Sequence, residues 1–314
     1  MLTIFTSPKP FTGQIARIQK NALGSWRKLG PAVEILLIGD EEGMAEAAQE
    51  FEVRHIPAIE RNEQGTPLIS AILETAEKLA KHSILCFANA DILFFDDLLP
   101  AVSEARAQFE RFLIIGQRWD LDVGNRLSFE NGWQEQVHAE IHRIGNLHPP
   151  AGSDYFVFPR ALFNSIPPFA LGRAGWDNWM IYAARAAKTP VLDATASITA
   201  VHQSHDYAHL PDGKAHYNLP ESVQNVVLAG GQNTIFTIRD ANWRLSNTGI
   251  QRRSWIGRGA LRSIETAAIS RLGPGAIIHF LFHPVEVIRY YAERFLGRLS
   301  NLVGTRNKRD KDPR

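Results

Sequence analysis

Four short stretches of the chain carry side chains whose type and spacing can do chemistry. In Cys86-Phe-Ala-Asn89-Ala-Asp91-Ile-Leu-Phe, a carboxylate follows an Asn by two residues, where an apolar run that reads as a buried strand reaches the surface. Oxygen donors in such a place suit Mg²⁺ or Mn²⁺, ions that neutralise a diphosphate. The plainer role for Asp91 is to cap a turn. Gly172-Arg-Ala-Gly175-Trp176-Asp177-Asn178-Trp179 opens a helical segment with a carboxylate between two large aromatics. Asp177 fits a helix N-cap. It also fits a general base that takes a proton from a sugar hydroxyl, with Trp176 and Trp179 as stacking faces for the sugar. Ala200-Val201-His202-Gln-Ser-His205-Asp206 brings an imidazole to a strand end, where it can complete a metal set begun by Asp91. His205 and His209 compete for that role, and a hydrogen-bonded loop histidine is the plain alternative. Ala151-Gly-Ser-Asp154-Tyr155 sends an Asp into an aromatic strand, as a contact for sugar hydroxyls or as a turn residue.

Other chemical signatures are missing. Val137-His138-Ala-Glu140-Ile-His142 has the two histidines of a zinc protease helix, but its Glu is one place too late, so a solvated helix face is expected. There is no G-x-G-x-x-G, no P-loop and no nucleophile elbow.

The elements that must position these groups alternate between short apolar runs and helical periods, as in an α/β domain. Leu2 to Phe5, Glu34 to Ile38, Ser83 to Phe87, Phe112 to Gly116, Tyr155 to Pro159 and Val191 to Val201 read as strands, with Val53 to Ile56 as an edge strand. Gly13 to Leu29, Gly43 to Phe51, Pro67 to His82, Pro100 to Phe109 and Trp176 to Ala187 read as helices. Asp120 to Pro150 is polar and is expected to be irregular and to cover the site. Ligands of open α/β sheets bind beyond the carboxyl ends of the strands. Here those ends are Thr6-Ser7-Pro8, Asp40-Glu41, Asn89-Ala90-Asp91 and His202, polar in an otherwise oily framework.

Composition narrows the class. With 314 residues, 45% hydrophobic and 21% charged, the chain has enough apolar material for a large core, which excludes wholesale disorder. The single cysteine, Cys86, excludes an internal disulfide and a cysteine-based zinc site. A net charge of +1 argues against a dedicated nucleic-acid binder. No apolar run reaches the roughly 18 residues of a spanning helix, and the start lacks a signal-peptide pattern, so the expected compartment is the cytoplasm. Arginines, glycines and aromatics become frequent after Gly230, which divides the chain into a domain over 1–230 and an extension over 231–314. Within that extension, Pro284 to Leu299 carries an amphipathic stripe with Arg289, Arg294 and Arg298, followed by a basic tail. It reads either as a helix docked on the domain or as a peripheral contact with the inner face of a membrane.

Taken in order, these features resemble the GT-A class of nucleotide-sugar glycosyltransferases over residues 1 to 210. Asn89-Ala-Asp91 resembles the D-x-D metal motif, with Asn in the first position. Gly175-Trp-Asp-Asn178 resembles the Gly-Trp-Gly-Glu-Asp region of galactosyltransferase-like members, whose acidic residue is the acceptor base, here reduced to Asp177. Val201-His202 resembles their later metal-binding histidine. The resemblance implies a mixed sheet flanked by helices, with a C-terminal helical extension. It implies that Asp91 and His202, or His205 in its place, hold a divalent Mn²⁺ or Mg²⁺. It also implies that Thr6, Ser7, Pro8, Asp40 and Asn89 line a nucleotide-sugar donor. Asp177 would serve as base, and Asp154, Trp176, Asn178 and Trp179 would meet a carbohydrate or lipid-linked acceptor. The activity implied is metal-assisted glycosyl transfer with inversion. A sugar-phosphate nucleotidyltransferase and a carbohydrate-binding protein without turnover are the alternatives.

Overall fold

The computed structural model describes residues 1–205, 219–254, 260–275 and 281. Its first strands are β1 (Leu2–Thr6), β2 (Val33–Ile38), β3 (Arg54–Ile56), β4 (Ile84–Ala88) and β5 (Ile92–Phe94). β6 (Leu113–Ile115), β7 (Trp119–Leu121), β8 (Asn146–Leu147) and β9 (Tyr155–Pro159) follow. β10 (Val191–Asp193), β11 (Ala200–Gln203), β12 (Trp243–Ser246) and β13 (Gly249–Arg252) complete the set. The helices that matter for the site are α1 (Gly13–Lys28), α2 (Met44–Glu50), α3 (Ile69–Leu79), α4 (Leu98–Gln108), α5 (Trp133–Ile144) and α6 (Trp176–Ala186).

Nine strands form one mixed sheet in the order β13-β12-β10-β6-β9-β4-β1-β2-β3. β1 and β4 are buried along their whole length, and β2 at all but one position, because helices cover both faces of the sheet. One core layer sets Trp26 and Leu23 of α1 against Ile4, Leu37 and Cys86. The other sets Ile69, Ile72, Leu73 and Ala76 of α3 against Phe5, Leu36 and Phe87. β1 is parallel to β2 on one side and to β4 on the other. The chain therefore winds outward from β1 through β2 to β3 and then returns to lay β4 on the opposite side. A crevice must open beyond the carboxyl ends of β1 and β4, the point where strand order reverses.

A second sheet, ordered β5-β11-β7-β8, stands beside the first. Three residues, Asn89, Ala90 and Asp91, link β4 of the large sheet to β5 of the small one. The expected single strand from Val191 to Val201 is corrected: it breaks into β10 in the large sheet and β11 in the small one. The break is a turn in which the amides of Ser197 and Ile198 donate to Ala194 O, and Asp193 accepts from the amide and hydroxyl of Thr195. Asp120 to Pro150 is also more ordered than expected, since it contains the end of β7, all of α5, and β8. Trp133, Val137 and Ile141, one helical stripe, bury α5 against Leu93 and Phe95, and Trp133 stacks on Phe95 at 5.3 Å.

Beyond residue 230 the chain adds β12 and β13 to the large sheet, and Phe236, Ile238, Ala241 and Ile269 join its core. The amphipathic stripe of Pro284 to Leu299 and the basic tail lie outside the described residues. Among those described, no helix is long and apolar enough to cross a membrane.

Candidate active site

The crevice is bordered first by the end of β1. Thr6, Ser7 and Pro8 are buried there, and the Ser7 hydroxyl has no hydrogen-bond partner. The next turn is clasped by one amide side chain: Lys9 N–H donates to Gln19 Oε1 at 2.7 Å, and Gln19 Nε2 donates back to Lys9 O at 2.8 Å. Gln19 was not singled out by sequence. Its signal was a polar residue beside Ile18 and Ala22 on the buried face of α1.

Beyond the end of β4, the fold brings together a carboxylate and two imidazoles. Asp91, His202 and His205 each offer a ligand atom, and these atoms lie within 4.8 Å of one another. His202 on β11 is paired in register with Ile92 on β5, which sets it beside Asp91, and Gln203 N–H donates to Asp91 O at 3.2 Å. Asp91 Oδ2 lies 3.6 Å from His202 Nε2 and 3.4 Å from His205 Nε2. Burial works to raise the Asp91 carboxyl, but His202, His205 and Lys9 hold it down at about 2. Its other oxygen, Oδ1, is buried with no hydrogen-bond partner. An orphaned carboxylate oxygen beside two imidazoles is a donor set that fits a divalent ion such as Mn²⁺.

Asn89 is directed elsewhere. Its Nδ2 donates to Asp154 Oδ1 at 2.8 Å, and its backbone N–H to Asp154 O at 2.9 Å. Arg118 bridges Asp154 to Asp120, donating to both carboxylates, with Nε 2.9 Å from Asp120 Oδ1. Although burial opposes its charge, these two carboxylates raise the Arg118 guanidinium above its ordinary range. Asp120 also holds His148 Nδ1 at 2.7 Å and His202 Nδ1 at 3.1 Å. Burial works to raise the Asp120 carboxyl, but His202, Arg118 and His148 hold it well below the usual range. Sequence reasoning missed Arg118, Asp120 and His148 because they fall in or beside the stretch read as irregular.

Asp177 sits in the first turn of α6, whose N-terminus is set by Gly175 in the left-handed region at φ 103°. Burial pushes its carboxyl up to about 6; the amides of the helix start oppose the rise and the charge of Asp154 adds to it. Gly152 lies directly against this carboxylate. Asn178 donates to Ala151 O at 2.8 Å and to Phe236 O at 2.7 Å, so its amide ties the helix to the Gly152 loop.

Trp176 does not offer the stacking face expected of it. It is 5% exposed and meets Phe87 edge-on at 5.1 Å, because the first turn of α6 drives it into the core. Trp179 is half-buried against Phe169. Asp40 is exposed and paired with Arg61 at 2.5 Å, which lowers its carboxyl. His209 lies outside the described residues.

No family model and no curated protein matches the chain. Several solved structures are similar in chain path. One is glucosyl-3-phosphoglycerate synthase from Mycobacterium tuberculosis with Mg²⁺ and uridine diphosphate, at 13% identity and TM-score 0.46, covering 74% of this chain and 80% of that one. Another is S. aureus TarS in complex with UDP-GlcNAc, at 12% identity and TM-score 0.48, covering 90% and 73%. A third is a mannosyltransferase from Pyrobaculum calidifontis with GDP-Man and Mn²⁺, at 12% identity and TM-score 0.46, covering 99% and 88%.

Proposed function

We propose that this chain is a metal-dependent glycosyltransferase that moves a sugar from a nucleoside-diphosphate donor to an acceptor hydroxyl, inverting the anomeric carbon. One observation carries this reading. It is the presence of a cation-ready cluster, Asp91 with His202 and His205, together with a carboxylate raised to about 6, Asp177. They are linked through Gly152, Asp154 and Asn89.

Asp91, His202 and His205 would hold the divalent ion, which when bound neutralises the charge that grows on a leaving diphosphate. Lys9, whose charge is felt at Asp91, adds a positive group on the same side. Thr6, Ser7 and Pro8 border the nucleoside, and the buried Ser7 hydroxyl, without a hydrogen-bond partner in the fold, is the polar group they bring to it. Asp40 and Asn89 complete the donor rim, and His205 is the second imidazole beside Asp91. Asp177 takes the proton of the acceptor hydroxyl as that oxygen attacks the anomeric carbon, and the bond to the diphosphate oxygen breaks with its electron pair leaving on the nucleoside diphosphate. A carboxylate at about 6 remains mostly ionised at neutral pH yet is basic enough to accept a proton in the transition state. Attack from the face opposite the leaving group inverts the centre. Asp154, fixed by Asn89 and Arg118, and the partly exposed Trp179 and Asn178 border the acceptor sugar.

The test is a panel of uridine- and guanosine-diphosphate sugars given to the full-length chain with Mn²⁺ and simple saccharide acceptors, with released nucleotide measured. Release of nucleoside diphosphate with an inverted glycoside is the expected result. Release of pyrophosphate, or donor binding with no release, would overturn the reading.

A further inference from the structure

A metal-binding imidazole is effective only if the correct nitrogen is free, and its other nitrogen usually decides that by donating to a fixed acceptor. His202 has such an acceptor. Asp120 on β7 and His202 on β11 are register partners across two parallel strands, so their side chains leave the small sheet on the same face. His202 Nδ1 lies 3.1 Å from Asp120 Oδ1, while Nε2 faces Asp91 at 3.6 Å. An ionised carboxylate has only lone pairs to offer, so this contact requires the hydrogen on Nδ1, and in the neutral ring that a cation binds, the lone pair is then on Nε2, toward Asp91.

Asp120 is itself held in place. Arg118 Nε donates to Oδ1 at 2.9 Å and His148 Nδ1 to Oδ2 at 2.7 Å, so neither oxygen can turn away without losing a partner. Arg118 also grips Asp154, and Asp154 grips Asn89, which ties the acceptor side of the crevice to the same carboxylate.

We propose that Asp120 is a positioning residue that fixes His202 as an Nε2 ligand of the cation bound at Asp91, and that Arg118 and His148 hold Asp120 for this task. The inference rests on reading Asp91, His202 and His205 as a cation site, but not on the transfer reaction.

The experiment is Mn²⁺ titration of the full-length chain, followed by electron paramagnetic resonance of the free ion. It compares the wild type, Asp120→Ala, His202→Ala and the double variant. Asp120→Ala is expected to weaken Mn²⁺ binding about 10- to 100-fold. The double variant is expected to bind no more weakly than His202→Ala, because both changes act through the same ligand, His202. A second measurement needs no variant at Asp120: ¹⁵N-histidine spectra of the metal-free chain at about pH 8.5, about two units above the ordinary imidazole value. Assigned by its loss in His202→Ala, the His202 ring is expected to carry its hydrogen on Nδ1. Unchanged Mn²⁺ binding in Asp120→Ala, losses that add in the double variant, or a hydrogen on Nε2 would each overturn the inference alone. A wild type that takes up no Mn²⁺ would overturn the cation site and this inference with it.

Discussion

Gly152 and the carboxylate of Asp177 are fitted together so closely that a Cβ on Gly152 would lie 2.0 Å from Asp177 Oδ2. The loop before β9 can close over the proposed base only because residue 152 has no side chain, and Asn178 Nδ2 fastens that loop by donating to Ala151 O while also donating to Phe236 O. Burial is the main cause of the raised Asp177 carboxyl.

Gly152→Ala must therefore push the carboxylate aside or lift the loop. Misplacing a catalytic group by about 1 Å can cost roughly 100-fold in rate. We expect kcat to fall by about 10- to 100-fold with Mn²⁺ binding unchanged, since Asp91, His202 and His205 lie on other segments. Steady-state kinetics beside a Mn²⁺ titration check this.

Asp177→Asn should separate activity from stability. Between pH 3.8 and about 6 the folded chain keeps a proton on Asp177 that the unfolded chain has released, so stability falls as pH rises through that window. Above it, the buried charge costs about 1–3 kcal/mol, after a discount for partial exposure. Asn removes that charge. The expected outcome is near-complete loss of turnover with a higher Tm at neutral pH, the gain shrinking to nothing by about pH 4. Thermal melts across pH, paired with the turnover assay, decide it.

The same group sets the acid limb of the rate. If Asp177 accepts the acceptor proton, kcat/KM should fall tenfold for each unit of pH below about 6, because the protonated carboxyl cannot serve as base. A pH–rate profile flat down to pH 4.5 would remove Asp177 from that role.

Divalent ion should stabilise the fold through Asp91. An ion at about 100 times its Kd contributes about 2.7 kcal/mol, enough to raise Tm by a few degrees. Asp91→Ala should abolish the Mn²⁺-dependent rise, and chelation should reverse it in the wild type. Differential scanning fluorimetry with and without Mn²⁺ gives the answer.

Trp176→Ala tests the core against the sugar platform. Removing a tryptophan packed on Phe87 and Phe156 should cost about 3–5 kcal/mol of stability. Trp179→Ala, at a half-buried position, should cost less stability and raise KM for the acceptor. Unfolding curves and acceptor titrations of the two variants distinguish the roles.

Much of the framework was legible because strand and helix signals are local. The apolar runs at Leu2, Glu34 and Ser83 appear as β1, β2 and β4, and the helical period over Pro67 to His82 appears as α3. Locality also explains the errors. Val191 to Val201 alternates well enough to read as one strand, yet the turn at Ala194 sends its halves into different sheets. Trp176 beside a carboxylate has the composition of a sugar platform, and only the direction of the first turn of α6 places it in the core.

By itself, the sequence determined which residue types stand at the strand ends: a carboxylate after β4, imidazoles at the end of β11, and a carboxylate in the opening turn of α6. Tertiary structure alone decided their company. Register between β5, β11 and β7 set His202 between Asp91 and Asp120, residues 111 and 82 positions away along the chain. Burial at the start of α6, with the charge of Asp154 nearby, gave Asp177 its raised carboxyl. Ligand geometry and proton affinity depend on distances of a few ångströms between segments remote in sequence, and those distances exist only once the two sheets have packed.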